Sequence, residues 1–486
     1  GVWDARFLAL LATSTTVDYL CGLAITGVRI QARKVFALGC LPVLWLMICS
    51  ATGLGGHPVG WNVVALAAVL PVILICGYAV FWRLPAERRP KAFMLLSIGL
   101  NLGQLGFFKY FNFFASSAER LLTSVGLHPG PVLLQIILPV GISFYTFQSI
   151  SYAVDVYKRR VEPEKNFLTF ATFLSFFPQL VAGPIERCSD LLPQLQKLPG
   201  WDTENFHRGC RLILIGLFKK VFVADNSALL ANYAFDNIDK VNGAWALLGA
   251  VAFAFQIYGD FSGYTDIARG SARMLGVQLR HNFHFPYFAT GPSDFWQRWH
   301  ISLSSWFRDY VYIPLGGNRG GNGATVRNLL ITMGLAGLWH GAAWTFVVWG
   351  LYHGLLLATY RMVPPLAALE KQEGASRMKI AGAMALMGAF TVVGWVIFRS
   401  PDLSHVALWF RALTVWQGSA ECLKPLAWLA IHALPLVCLQ IFTWKHRDEI
   451  ETLHWPWAAR GLVYGILILA VASSAVSEQE FIYFQF

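Results

Sequence analysis

The stretch Asp294–Gly320, DFWQRWHISLSSWFRDYVYIPLGGNRG, followed about one helix later by Gly337–Phe346, GLWHGAAWTF, decides how this chain is read. It is too polar and aromatic to cross a bilayer, yet too rich in Trp, Phe and Tyr for a solvated loop. Trp296, Trp299, Leu303, Trp306 and Tyr310 recur at helical spacing, predicting one apolar stripe on a continuous helix. Gln297, Arg298, Ser304, Ser305 and Arg308 fall on its other faces, and Pro314, Gly316 and Gly317 end it. Such a helix lies along an interface or packs inside a vestibule. The two stretches also carry His300 and His340. An ionisable group at membrane depth is costly to keep and marks a functional position.

Outward from these stretches the chain is built for lipid. Of its 486 residues 56% are hydrophobic and 13% charged, with a mean hydropathy of +0.50, too little charge to cover a soluble surface of this size. Apolar runs near 6–28, 35–54, 61–83, 93–117, 131–153, 167–183, 208–233, 243–270, 326–342, 343–362, 378–399, 425–443 and 460–477 are candidate spans. Segment 167–183 is short, holds Pro178 and reads as re-entrant. Segment 208–233 carries Lys219, Lys220 and Asp225 and reads as a broken or protein-buried helix. The expected fold class is an all-α polytopic membrane protein, in a single membrane domain over 1–486. Gly1 in place of an initiator Met, with no signal peptide before the first span, predicts a chain shortened at its start.

The formal net charge of +11 does not call for nucleic acid, because the cations sit in short loops and at helix ends. Arg29, Arg33 and Lys34 follow the first span, and Arg83, Arg88, Arg89 and Lys91 the third, while Gly53–Gly60 between spans two and three is uncharged. Spans two and three therefore form a hairpin with both ends on the basic, cytoplasmic side, and Lys158, Arg159 and Arg160 fall on that side too. The eight cysteines show no CxxC spacing, so neither a disulfide framework nor a zinc site is expected.

An imidazole exchanges a proton near neutral pH, which makes His300 and His340 candidate acid–base groups. Gly341 and two alanines after His340 admit a close neighbour. A structural histidine bonded to a backbone carbonyl accounts for either residue equally well. On a continuous helix His353 would lie roughly 20 Å from His340 along the axis and on another face, so it reads as packing. His281 and His284 lack further ligands at metal spacing. Asp260 and Asp266, in YGDFSGYTD, face a polar path or pair with arginines. No GxSxG occurs, which favours direct transfer over a serine acyl-enzyme.

Several long motifs, in order, carry a resemblance: LPVGISFYTFQSISYAVDVY, LVAGPIER at Leu180–Arg187, YGDFSGYTDIARG, WQRWHISLSSWFRDYVYIPLGGNRG, GLWHGAAWTFVVWGLYHG and GWVIFRS at Gly394–Ser400. Over about Leu138–Arg399 the chain resembles the membrane-bound O-acyltransferase family, in the bacterial branch that O-acetylates alginate, with the teichoic-acid D-alanylation proteins more distant. The C-terminal FIYFQF fits the same branch. The resemblance implies a bundle of about 11–13 transmembrane or re-entrant helices around a central tunnel. It implies variable helices over 1–130, a catalytic core over 131–400 and C-terminal helices over 401–486, with 35–83 resembling an added hairpin.

By the same resemblance His340 corresponds to the catalytic histidine. His300 holds a position occupied by His in this branch and by Asn or Asp in eukaryotic relatives. Arg298, Arg308, Asn318, Arg319 and Asp260 become candidate donor-binding residues, with salt bridging the blander role for each. The activity implied is transfer of an acetyl group from a cytoplasmic thioester, acetyl-CoA, to hydroxyls of an exported polysaccharide, directly or through a periplasmic SGNH-type acetyltransferase partner. The setting implied is the bacterial inner membrane, with no metal and no tightly bound cofactor. Alternatives are D-alanyl or longer-acyl transfer to an envelope polymer, and a non-catalytic acyl or glycan transporter.

Overall fold

A computed structural model describes residues 6–54, 59–128, 130, 133–134, 136–180, 182–197, 200–372, 375–444, 456–474 and 481–482. Among them there is no strand, and eight helices are long and apolar enough to cross a membrane, or nine if one bent pair counts as a span. The chain is a multi-pass, all-α membrane protein. By contact it divides into two compact units, 1–181 with 185–199, and 182–184 with 200–486.

The first unit contains α1 (Phe7–Ile25), α2 (Ala32–Thr52), α3 (Trp61–Ala67), α4 (Leu70–Trp82), α5 (Arg89–Leu105), α6 (Phe111–Ser124), α7 (Ile142–Tyr157), α8 (Phe167–Ser175), α9 (Phe177–Leu180) and α10 (Cys188–Gln196). Helix α1 packs against α2, α5 and α7, and α2 lies along α4 as the expected hairpin. The α1–α5 seam is polar: Ser97 Oγ donates to Asp18 Oδ1 at 2.6 Å, and Asn101 Nδ2 to the same oxygen at 2.9 Å. These bonds satisfy a carboxyl that lipid would not. One span prediction changes here, and the segment read as re-entrant is a broken one. The segment expected over 131–153 becomes helical only at Ile142, after Gly141 takes a positive φ of 75°. The segment 167–183 is two short helices broken at Phe176, next to Pro178.

The second unit contains α11 (Thr203–Leu217), α12 (Asp225–Asp236), α13 (Gly243–Met274), α14 (Pro292–Arg298), α15 (Ile301–Phe307), α16 (Gly321–His340), α17 (Trp344–Met362), α18 (Pro364–Glu370), α19 (Arg377–Arg399), α20 (Leu403–Ala412), α21 (Leu423–Thr443) and α22 (Trp457–Ser474). Helix α13 is its spine, flanked by α11 and α12. Glycines let α11 and α13 touch: a Cβ on Gly216 would sit 2.6 Å from the Gly263 carbonyl, and one on Gly263 2.7 Å from that of Gly216.

Between α11 and α12 the chain widens into a π-turn, Phe218–Ala224, that carries the charges flagged in the sequence. Lys219 Nζ bonds Asp266 Oδ2 at 2.9 Å, and Lys220 Nζ bonds both Asp225 and Asp260 at 2.9 Å. The segment is thus a helix with paired charges buried in protein. Asp266 also bonds Arg269 at 3.4 Å, the arginine pairing its sequence allowed, with a lysine in addition.

Candidate active site

The continuous helix expected across Trp296–Tyr310 is instead broken in two. Helix α14 ends at Arg298, α15 begins at Ile301, and His300 stands at the break with φ 43° and ψ 52°. That left-handed conformation is disfavoured for most side chains, with His, Asn and Asp the usual non-glycine occupants. Asn282 holds the far side of the break. Its carbonyl accepts the Ile301 N–H at 2.9 Å, and its side-chain oxygen accepts the Ser302 hydroxyl at 2.6 Å. The aromatic stripe therefore folds around His300 rather than running past it, and the π-turn Arg308–Tyr312 follows α15.

His340 is the last residue of α16. Gly341 is extended, and the chain reverses through Ala342 and Ala343 so that α17 packs back along α16. A Cβ on Gly337 would strike the Phe346 carbonyl, and one on Gly350 the Met333 carbonyl. Closeness of the two helices brings the Trp349 indole onto the His340 ring, 5.0 Å between centroids.

The two histidines meet, with ring centroids 6.5 Å apart and planes inclined by 62°. His300 is completely buried and His340 is 6% exposed. Around His300 stand Phe261, edge-on at 4.6 Å, and Trp339 at 5.9 Å; around His340 stand Trp339, Trp349 and Phe398 at 5.0, 5.0 and 5.3 Å. Among the described residues neither ring nitrogen of His300 has a hydrogen-bond partner. Leaving buried polar atoms unmatched costs on the order of 1–3 kcal/mol each, and the Nδ1 of His353 shares this state. His300 lies outside the spanning helices, and burial pushes its imidazole down from the ordinary 6.5 to about 3. It is a neutral ring, able to accept a hydrogen bond at one nitrogen and donate its N–H from the other.

His353 is nearer the site than a straight helix predicts. The turn at Gly341 folds α17 back, and Trp349 contacts His340 at 5.0 Å and His353 at 4.9 Å. The His353 ring is stacked on Phe295 at 6.1 Å and edge-on to Trp296 at 5.1 Å, with Gly394 against its Nε2. Phe261, Trp349 and Phe398 were not singled out from sequence. The signal for Trp349 was the GAA break after His340, which implies a hairpin.

The remaining candidates sit apart from the histidine pair in their contacts. Arg298 bonds Asp294 at 2.5 Å and lies 5.3 Å over the Trp444 ring. Arg308 is exposed and bonds Asp309 at 2.8 Å. Asn318, exposed, accepts the Tyr312 hydroxyl, and Arg319 is exposed. Asp260 is 2% exposed and is occupied by Lys220 and by the Ile482 N–H at 2.6 Å. Asp260 reaches the site through its neighbour Phe261. Of FIYFQF, residues 483–486 lie outside the described residues, while Phe481 packs on Tyr264 at 4.9 Å. His281 Nε2 accepts from Arg269 at 2.9 Å, so that nitrogen is engaged by a guanidinium.

A family model for the membrane-bound O-acyltransferases matches residues 159–392, a range that includes both histidines. A protein described as the probable alginate O-acetylase AlgI of Pseudomonas putida is 39% identical over 427 residues, covering 83% of this chain and 85% of the relative. One with the same description from Pseudomonas aeruginosa is 41% identical over 356 residues, 72% of this chain and 66% of the relative. The peptidoglycan O-acetyltransferase of Helicobacter pylori is 34% identical over 411 residues, 78% of this chain and 75% of the relative.

Proposed function

The chain belongs to the membrane-bound O-acyltransferase family, and on that premise we propose that it moves an acetyl group from a cytoplasmic thioester, acetyl-CoA, to hydroxyls of an exported polysaccharide. It is an O-acyltransferase of the membrane; acetyl as the group, a polysaccharide as acceptor and the bacterial inner membrane as its setting are the finer reading. Relatives described as alginate O-acetylase and peptidoglycan O-acetyltransferase support the first two.

The observation that carries the reading is the pairing of His300 and His340 in an aromatic box. In the proposed step an imidazole of His340 takes the proton of the attacking hydroxyl. The hydroxyl oxygen bonds the thioester carbonyl carbon, the C–S bond breaks, and the imidazolium returns the proton to the thiolate. His300, neutral and with both nitrogens uncommitted, orients the hydroxyl or the carbonyl. The aromatic walls exclude water, which would otherwise hydrolyse the donor. Where the acceptor lies beyond the membrane, an SGNH-type partner relays the acetyl group to it.

The test is incubation of purified protein with acetyl-labelled acetyl-CoA, with and without that partner and a polysaccharide acceptor. The reading expects coenzyme A release coupled to label in ester linkage. Label that moves equally well from a D-alanyl donor, or no thioester cleavage under any combination, overturns it.

A further inference from the structure

A cavity of about 370 Å³ opens in the first unit where the α1–α2 loop meets the end of α4, lined by Arg29, Ile30, Gln31, Val35, Ile75 and Tyr78 among others. Arg29 lines it, and the loop segments flanking the hairpin are cationic: residues 26–34 and 83–91 hold Arg29, Arg33, Lys34, Arg83, Arg88, Arg89 and Lys91 against the single acid Glu87. Arg29 has no carboxylate partner among the described residues; its guanidinium lies 5.7 Å over the Trp82 ring, which Arg89 approaches at 4.5 Å. The Tyr78 hydroxyl accepts the Ile30 N–H at 3.0 Å and donates to no described protein group, so its own hydrogen is available.

The floor is apolar. Val35 is fully buried, and below the cavity α4 continues through exposed Val72 and Ile73. Trp82, Tyr78 and the cations place this end of the hairpin at the level of lipid headgroups, on the side where basic loops accumulate. A ligand that fits carries a negative phosphate for Arg29 and Tyr78 and an aliphatic chain for the slope beneath.

We propose that this cavity is a binding site for an anionic phospholipid of the cytoplasmic leaflet, with its phosphate between Arg29 and Tyr78 and an acyl chain along α2 and α4. A soluble phosphate or nucleotide satisfies the cations but leaves the apolar slope unused; a zwitterionic lipid satisfies the slope but not the excess of positive charge. Acyl transfer is not assumed, so this site and the histidine site stand or fall separately.

Native mass spectrometry of the purified full chain, titrated with phosphatidylglycerol and with phosphatidylcholine of the same acyl chains, tests it. Phosphatidylglycerol stays bound and phosphatidylcholine is lost. Arg29→Gln weakens retention about tenfold, as expected for one charge-assisted contact, and Tyr78→Phe weakens it less. Arg377→Gln, equal in charge change but exposed at the start of α19 in the second unit, leaves it within about twofold. If Arg29→Gln lowers the thermal midpoint, Tyr78→Phe and Arg29→Lys carry the test, the latter restoring part of the affinity. Equal retention of the two lipids overturns the proposal. So does an equal loss with Arg377→Gln, or displacement of phosphatidylglycerol by inorganic phosphate or coenzyme A.

Discussion

His300 occupies a backbone conformation that few side chains tolerate, and that single fact accounts for what can replace it. At φ 43° an asparagine or aspartate is accommodated, whereas a β-branched residue is strained. His300→Asn is expected to fold, and His300→Val to lose on the order of 1–2 kcal/mol more, read as thermal midpoints of the purified proteins. The same pair reports the buried ring. Because folding lowers the His300 imidazole to about 3, the unfolded chain binds a proton below about 6.5 that the folded chain does not, and stability falls as pH drops through that value. Between about pH 7.5 and about pH 5 the wild type should lose more thermal stability than His300→Asn. Equal slopes would mean that His300 titrates normally in the fold.

At the scale of elements, the site depends on two helices held closer than any side chain beyond hydrogen allows. Gly350→Ala puts a methyl group onto the Met333 carbonyl and pushes α17 off α16, moving Trp349 from His340. Transfer activity should fall at least tenfold, and the intrinsic tryptophan emission should shift as the indole is displaced. An active Gly350→Ala protein would show that this contact does not position the histidine. The π-turn is the second dependent element. Asp266→Ala strands Lys219, whose side chain is 2% exposed, and should cost about 3–5 kcal/mol, while Lys219→Met with Asp266→Leu recovers most of it. Thermal unfolding of the three variants in detergent decides this.

These two elements also mark the limit of what the residues reveal in order along the chain. Helical spacing correctly placed Trp296, Leu303 and Trp306 in helices, while Trp299 falls in the break in an extended conformation. It could not locate a break at His300, because the break is made by Asn282, which lies eighteen residues upstream. A straight helix would carry His353 far from His340, and three small residues after His340 reverse the chain instead.

For the whole molecule, low charge together with recurring apolar runs of about 18 or more residues sufficed to read an all-α membrane protein, because runs of that length cross a bilayer as helices. The paired cations at 219 and 220 were legible as buried, but their carboxylate partners on α13 were not, since pairing across helices leaves no mark in spacing. The candidate site was legible in its two histidines and not in the aromatic walls that join them. The central claim is that His340, held against His300, carries acyl transfer. It is tested most directly by measuring ester-linked acetate on the exported polysaccharide of cells lacking the gene and supplied with wild type or His340→Ala, with equal folded protein verified in the membrane. The account predicts acetylation restored by the wild type and reduced by about 10²–10⁴-fold, to background, by His340→Ala. Wild-type levels of acetate in cells carrying His340→Ala would contradict it.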